Sequence, residues 1–139
     1  MPLDRTFLLL KPDALKKRIV GEIISMVEKA GFDIIDIRMR KWNKNDAEKF
    51  YAAHRGKQFF EGLVGFMISG PVIGLLLERE NAIYELRKLV GATDPSKAEP
   101  GTIRHLYGTD VRVNAVHASD SPKSFEYEVE CFFGNEEIL

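Results

Sequence analysis

The chain has 139 residues, of which 45% are hydrophobic and 29% charged, and its formal net charge is -1. This balance is typical of a globular protein and excludes a disordered chain or a strongly basic one that wraps nucleic acid. We expect one domain over residues 1–139. Cys131 is the only cysteine, so the chain cannot form an intrachain disulfide, and a reducing, cytoplasmic location is expected.

The N-terminal residues do not combine a basic segment with an apolar one, so we expect no signal peptide. Every apolar run is interrupted before it reaches the roughly 20 residues of a membrane span. We therefore expect neither a membrane contact nor, from the near-neutral charge, a DNA or RNA partner.

Apolar runs and their periodicity predict the elements in chain order. They are a buried strand over 6–10, a helix over 20–30, a half-buried strand over 32–40, helices over 45–51 and 59–67, a strand over 72–77, a helix over 81–90, a strand over 113–116 and a helix that begins at Ser121 and ends at Gly134. In the second strand, Ile35, Ile37 and Met39 are expected to share the apolar face. This order predicts an α/β sandwich with helices packed on a sheet.

The stretch from residue 92 to about 112 is predicted to be irregular and leads to His117. An irregular segment of this length is uncommon in a small domain unless it has a function. Ser121 and Pro122 then begin a helix as N-cap and first helical residue, and helix N-termini favour nearby phosphate. A neutral imidazole is a nucleophile, and Glu128 is a candidate to hold its second nitrogen. For any single histidine, however, a non-catalytic role is the commoner case.

Two other chemistries find little support in the sequence. Ser119 and Asp120 lie too close to His117 along the chain to form a hydrolytic triad. Neither a Walker A motif nor G-x-G-x-x-G is present, so side chains must hold any nucleotide. The candidates are three cations, Lys11, Arg87 and Arg104, and one ring that could stack on a base, Phe59. Taken alone, a cation is more often a solvated surface charge and a phenylalanine is more often part of the core.

Several separate blocks of sequence, in the same order, resemble the nucleoside diphosphate kinase family. The most specific block is Asn114-x-x-His117-x-Ser119-Asp120. The others are Arg5-Thr6-Phe7 with Lys11-Pro12-Asp13, Phe59-Phe60-x-Gly62-Leu63-Val64, Ser69-Gly70-Pro71-Val72, Gly91-Ala92-Thr93-Asp94-Pro95 and Pro100-Gly101-Thr102-Ile103-Arg104. The resemblance covers essentially the whole chain.

The resemblance implies a ferredoxin-like sandwich (α/β, or α+β) with a four-stranded antiparallel sheet. It implies ping-pong transfer of the γ-phosphoryl group of ATP or another nucleoside triphosphate to a nucleoside diphosphate. The intermediate would be a phosphohistidine at His117. Mg²⁺ would bridge the phosphates and would not be held directly by protein side chains. The resemblance to the shorter bacterial-type chains also implies a homo-oligomer, either a tetramer or a hexamer.

The resemblance further implies a role for each site residue. His117 would be the nucleophile, with Glu128 orienting its ring and Ser119 supporting Glu128. Lys11 would contact the ribose 3′-hydroxyl and the transferred phosphate, and Tyr51 would position Lys11. The remaining contacts would be Arg87, Thr93 and Arg104 on the phosphates, Asn114 on the ribose, and Phe59, Leu63 and Val111 around the base. Ala118 stands where the family usually has Gly, which is tolerated if the backbone there avoids positive φ. A catalytically silent nucleotide-binding module on the same fold is the alternative.

Overall fold

The computed structural model describes residues 3–134. Seven α-helices, two short 3₁₀ helices (Ala52–His54 and Pro95–Lys97) and four strands occur in this part of the chain. The strands are β1 (Leu3–Leu10), β2 (Asp33–Arg40), β3 (Val72–Glu80) and β4 (Val116–Ala118). The helices are α1 (Pro12–Lys16), α2 (Val20–Lys29), α3 (Lys44–Phe50), α4 (Phe60–Met67), α5 (Ala82–Val90), α6 (Ile103–Tyr107) and α7 (Pro122–Phe133).

The strands form one antiparallel sheet in the order β2-β3-β1-β4. The central strand β1 pairs along its whole length with β3, and its C-terminal end pairs with the short edge strand β4. Leu9 lies opposite His117 in this second pairing. The sheet therefore places the end of β1, where Lys11 follows, beside the segment that carries His117.

Both faces of the sheet are covered, which explains the continuous apolar run at the end of β1. Leu8 and Leu10 pack into one cluster with the apolar sides of α2 and α5. Phe7 and Leu9 point to the other face and pack with residues of α3, α4 and α7. Because successive side chains of a strand point to opposite faces, a strand buried on both sides has no polar alternation.

The prediction for the apolar face of β2 is wrong. Ile37 and Met39 are 46% and 61% exposed, whereas Asp36 is buried and bonded to Arg38. The pairing of β2 with β3 shifts register between Ile34 and Asp36. Such a bulge reverses the faces of the residues that follow it, so the alternation in the sequence does not mark the buried side.

Two predictions in the region before His117 also need correction. The stretch predicted as irregular contains a 3₁₀ turn, Pro95–Lys97, and helix α6, whose N-cap Thr102 accepts the His105 N–H. The following strand is Val116–Ala118 and not 113–116. Ala115 has a φ of +76°, which is incompatible with an extended strand, so β4 begins only after it.

The helix predicted at Ser121 is confirmed. Ser121 and Ser124 form a capping box, Pro122 is the first helical residue, and Gly134 follows the last turn. Ala118, at the position where the resemblance led us to expect Gly, lies in β4 and is not among the described residues with positive φ. The methyl group therefore causes no backbone strain there.

Candidate active site

The His117 side chain lies at the edge of the sheet and is 24% exposed. Its ring stands nearly perpendicular to two aromatic rings from the end of α3: Phe50 at 5.3 Å and Tyr51 at 5.8 Å between centroids. The imidazole is therefore packed against two rings while about a quarter of its side-chain surface stays exposed. The sequence predicts Phe50 within a helix but does not assign it to the site. Its contact with His117 joins residues far apart along the chain, so no local pattern could reveal it.

A hydrogen-bonded chain runs from His117 into the protein. The His117 Nε2 atom is 2.8 Å from Glu128 Oε2, and the Ser119 hydroxyl donates to Glu128 Oε1 at 2.5 Å. The cap at Ser121 fixes the start of α7 and so sets where Glu128 falls on the helix. An Nε2–H donated to the carboxylate leaves the Nδ1 lone pair free to attack an electrophile. Because the Ser119 hydroxyl serves Glu128, it is not an acyl nucleophile paired with His117.

Lys11 is the first of three cations in this region and is only 5% exposed. Its ammonium donates to Asn114 Oδ1 at 2.9 Å and to the Arg112 carbonyl at 3.2 Å. Burial, reinforced by the positive charge of Arg104, lowers the pKa of Lys11 to about 8. A buried ammonium with a lowered pKa gains strongly from an anion, since the anion replaces the lost hydration.

Arg104 is the second cation, held on α6 and 7% exposed. It donates to the carbonyls of Gly91 and Val116, while its Nε is buried without a partner among residues 3–134. Burial and the nearby charge of Arg87 lower the pKa of Arg104 to about 10. Arg87, the third cation, extends from α5 to the Ala118 carbonyl at 3.3 Å. These mutually repelling charges form a positive region suited to a polyanion.

Asn114 connects the segment before His117 to the long loop. Its side-chain amide donates to the carbonyls of Thr93 and Val111, at 3.0 and 3.1 Å. Asn114 Oδ1 at the same time accepts from Lys11. Thr93, Val111 and Lys11 are thereby gathered around one amide group.

Tyr51 and Lys11 are not joined directly. The buried Tyr51 hydroxyl contacts the sulfur of Met67 at 3.8 Å, and burial, with the charge of Glu128, raises the pKa of the phenol. The positioning of Lys11 that the resemblance assigned to Tyr51 therefore does not run through a hydrogen bond between them. Tyr51 instead packs against the ring of His117.

The three residues expected around a base differ in exposure. Phe59 and Val111 are 46% and 61% exposed, whereas Leu63 is buried and packs in the core beneath. The Phe59 ring lies 5.4 Å from the ring of His54. Open aromatic and aliphatic surfaces of this kind suit stacking against a flat ring.

One neighbour of Phe59 and one neighbour of Gly62 were not found from the sequence. Lys57 Nζ lies 5.7 Å from the centre of the Phe59 ring and 3.1 Å from His54 Nδ1. The Arg112 guanidinium lies so close to Gly62 that a Cβ there would be 2.3 Å from it. Gly62 therefore stands where a side chain would collide with Arg112. The sequence shows the glycine but does not reveal which residue approaches it.

A held imidazole beside three cations on an α/β sandwich is an arrangement that suits a phosphate-bearing substrate. In residues 3–134 no group of three His, Cys, Asp or Glu side chains could hold a metal ion. No helix in this part of the chain is long and apolar enough to cross a membrane.

The family model described as nucleoside diphosphate kinase matches residues 4–138. A nucleoside diphosphate kinase from Hyperthermus butylicus is 48% identical over 139 residues, covering 100% of this chain and 98% of the relative. The chain belongs to the nucleoside diphosphate kinase family, an enzyme class of nucleotide-binding phosphotransferases.

Solved structures agree with the fold. The enzyme from Aquifex aeolicus superposes with a TM-score of 0.95 at 41% identity, covering 99% of this chain and 100% of that one. A halophilic nucleoside diphosphate kinase from Halobacterium salinarum, solved in complex with CDP, gives 0.93 at 37% identity, covering 98% and 91%. The predicted ferredoxin-like sandwich with a four-stranded antiparallel sheet is confirmed.

Proposed function

We propose that this chain transfers the γ-phosphoryl group of a nucleoside triphosphate to a nucleoside diphosphate through a phosphohistidine at His117. The observation that carries the proposal is the bond from His117 Nε2 to Glu128. It orients the imidazole and leaves Nδ1 as the nucleophilic atom. Ser119 fixes the other oxygen of the same carboxylate, so the ring has one preferred orientation before substrate arrives.

The transfer is two equivalent displacements. In the first, the Nδ1 lone pair forms a bond to the γ-phosphorus while the bond to the β,γ-bridging oxygen breaks, and the diphosphate leaves with that electron pair. In the second, a terminal oxygen of the acceptor diphosphate attacks the same phosphorus and the Nδ1–P bond breaks. The imidazole regains its lone pair, and the Glu128 carboxylate stabilises the Nε2–H throughout.

The cations contribute mainly by charge and position. We assign Lys11 to the transferred phosphate and the ribose 3′-hydroxyl, and Arg87, Arg104 and Thr93 to the remaining phosphates. Charge accumulates on the phosphate oxygens during phosphoryl transfer, and preorganised donors stabilise it without reorganising. The buried Arg104 Nε, which has no partner within residues 3–134, is a donor that a phosphate oxygen would satisfy.

The family also implies Mg²⁺. Lys11 and Arg104, which we assign to the phosphates, are cations and would bind phosphate oxygens and not a metal ion. The ion would therefore be held mainly by the nucleotide. When bound, it supplies charge neutralisation between the phosphates.

We place the base against Phe59 and Val111, with Leu63 beneath, and the ribose against Asn114. Stacking and van der Waals contact act on any base, because every base has a flat face. Broad use of purine and pyrimidine nucleotides follows.

Assembly, domain organisation and location complete the proposal. We infer a single domain over residues 1–139 in the cytoplasm, and a homo-oligomer, tetramer or hexamer. The exposed Ile37 and Met39 on the edge strand β2 support self-association, because an apolar edge strand is a site for further pairing. Sedimentation at several concentrations would measure the assembly, and a monomer at every concentration would contradict it.

The test is to incubate the protein with ATP labelled in the γ-phosphate. We expect one acid-labile label on His117 that passes to added GDP, giving GTP. His117→Ala should abolish labelling, whereas His105→Ala, an exposed histidine on α6, should retain it. Nucleotide binding by the unchanged protein without labelling would instead indicate a catalytically silent binding module.

A further inference from the structure

The backbone makes an unusual turn two residues before His117. The Val116 N–H donates to the Asn114 carbonyl at 2.9 Å, and Ala115 between them has a φ of +76°. A bond between residues i and i+2 with positive φ at the centre is the strained form of the γ-turn. Such a conformation costs about 1–3 kcal/mol for a residue other than Gly, and it persists only where the surroundings enforce it.

The restraint on this turn comes from a segment about 100 residues earlier in the chain. Asp13 Oδ2 accepts the Ala115 N–H at 2.9 Å. The Lys11 backbone N–H donates to the Ala115 carbonyl, also at 2.9 Å. Both polar groups of Ala115 are thus bonded to the segment that begins α1, and the Ala115 side chain is fully buried between them.

Stabilisation of helix α1 does not explain why an aspartate occupies position 13. A carboxylate in the first turn can favour a helix from an exposed position, but Asp13 is only 6% exposed and α1 has five residues. Its second oxygen, Oδ1, is buried without a partner in residues 3–134. Burying a carboxyl group with an unpaired oxygen costs free energy, so a role in stability alone is a weak reason for this residue.

We propose that Asp13 is a positioning residue for phosphoryl transfer. Its carboxylate holds the Ala115 N–H and so maintains the strained turn that sets Asn114 on one side and His117 on the other. Asn114 orients Lys11 and Thr93, so one displaced turn would move the cation and the nucleophile together. This inference rests on the function proposed above, because it concerns the placement of His117 for that reaction.

The decisive experiment is a double-mutant cycle on positions 13 and 115. We expect Asp13→Ala to slow His117 phosphorylation by ATP about ten- to a hundredfold, since misplacing a reacting group by about 1 Å costs this much. Ala115→Gly alone should stay within about threefold, because Gly adopts positive φ without strain. In the double variant Gly removes the need for the restraint, and most of the lost rate should return.

A merely structural role predicts a different result. If Asp13 only supported the fold, Ala115→Gly would add its own loss and rescue nothing, which would overturn the proposal. Asp13→Asn keeps an acceptor in the same volume and should react within about threefold of the unchanged protein. A folded Asp13→Asn variant that loses more than tenfold would also overturn it.

Folding is followed by circular dichroism, with Glu22→Ala as the matched control, because Glu22 is an exposed acid in the first turn of α2. If Asp13→Ala alone does not fold, the phosphorylation rate of the folded Asp13→Asn variant decides, with the limits given above. If the unchanged protein is not phosphorylated at all, the proposed function fails. If it is phosphorylated and Asp13→Ala reacts equally fast, only this inference fails.

Discussion

The two ends of the candidate active site are built differently. At the phosphate end, Lys11, Ser119 and Glu128 are buried and each is bonded to a defined partner. At the base end, Phe59 and Val111 are about half exposed, and the Phe59 ring is held only by ring contacts with His54 and the Lys57 ammonium, not by hydrogen bonds. Under the proposed function, the groups that act on the phosphate are preorganised, whereas the base would be recognised through loose apolar contact. Changes at the first end should affect the rate, and changes at the second should affect affinity.

Apart from the loss of His117 itself, the largest effect should come from Lys11→Met. This change keeps the length of the side chain but removes the charge beside the transferred phosphate, so we expect the rate of His117 phosphorylation to fall about 10²- to 10³-fold. The loss should be equal with ATP and GTP, measured in single-turnover experiments. Lys88→Met, on an exposed position of α5, is the control. A rate loss seen with only one of the two nucleotides would show that Lys11 takes part in base recognition. It would contradict the division of the site into a phosphate end and a base end.

A smaller effect should follow from Phe59→Ala. Loss of a stacking ring weakens base binding by about 1–3 kcal/mol, so we expect KM to rise about tenfold or more while kcat stays within about twofold. Uniform loss of binding in the ground and transition states gives this pattern. Steady-state kinetics with ADP, GDP, CDP and UDP measure it, and Tyr84→Ala, an exposed aromatic change on α5, is the control. A fall in kcat with unchanged KM would contradict the assignment of Phe59.

The smallest effect is a pH dependence at the phosphate end. The pKa of Lys11 is lowered to about 8, so its ammonium is charged below this pH and loses its charge above it. A bound phosphate favours the charged form, and nucleotide affinity should therefore decline as pH rises through 8, by at most about tenfold per unit. Calorimetric titration with ADP from pH 6.5 to 9.5 measures this decline. Lys11→Arg should remove it, because a guanidinium stays charged. The same decline in that variant would contradict the assignment to Lys11.

Local patterns predicted the elements that local physics controls. The apolar run of β1, the helical spacing after Val20 and the Ser121–Pro122 cap each correspond to an observed element. Local patterns failed at β2, where a bulge shifts the register, and at β4, where the positive φ of Ala115 delays the start of the strand. Both features depend on partners far away in the sequence, so the local alternation of residues cannot indicate them.

The site itself could not be derived from spacing. Lys11 and Asn114 are 103 residues apart, and so their hydrogen bond is invisible to any local pattern. The resemblance of several blocks to one family brought these residues together in the prediction, and the structure adds the contacts between them. It also adds a residue that the resemblance left without a role, Asp13, because a strained turn and its restraint appear only in three dimensions.

The central claim is that Glu128 holds His117 Nε2 and leaves Nδ1 to react. The most direct measurement is NMR of the intact protein after reaction with ATP, using phosphorus–nitrogen and phosphorus–proton couplings to assign the phosphorylated ring nitrogen. The account predicts one phosphoryl group, bonded to Nδ1 of His117. Phosphate on Nε2, or on a residue other than His117, would contradict it.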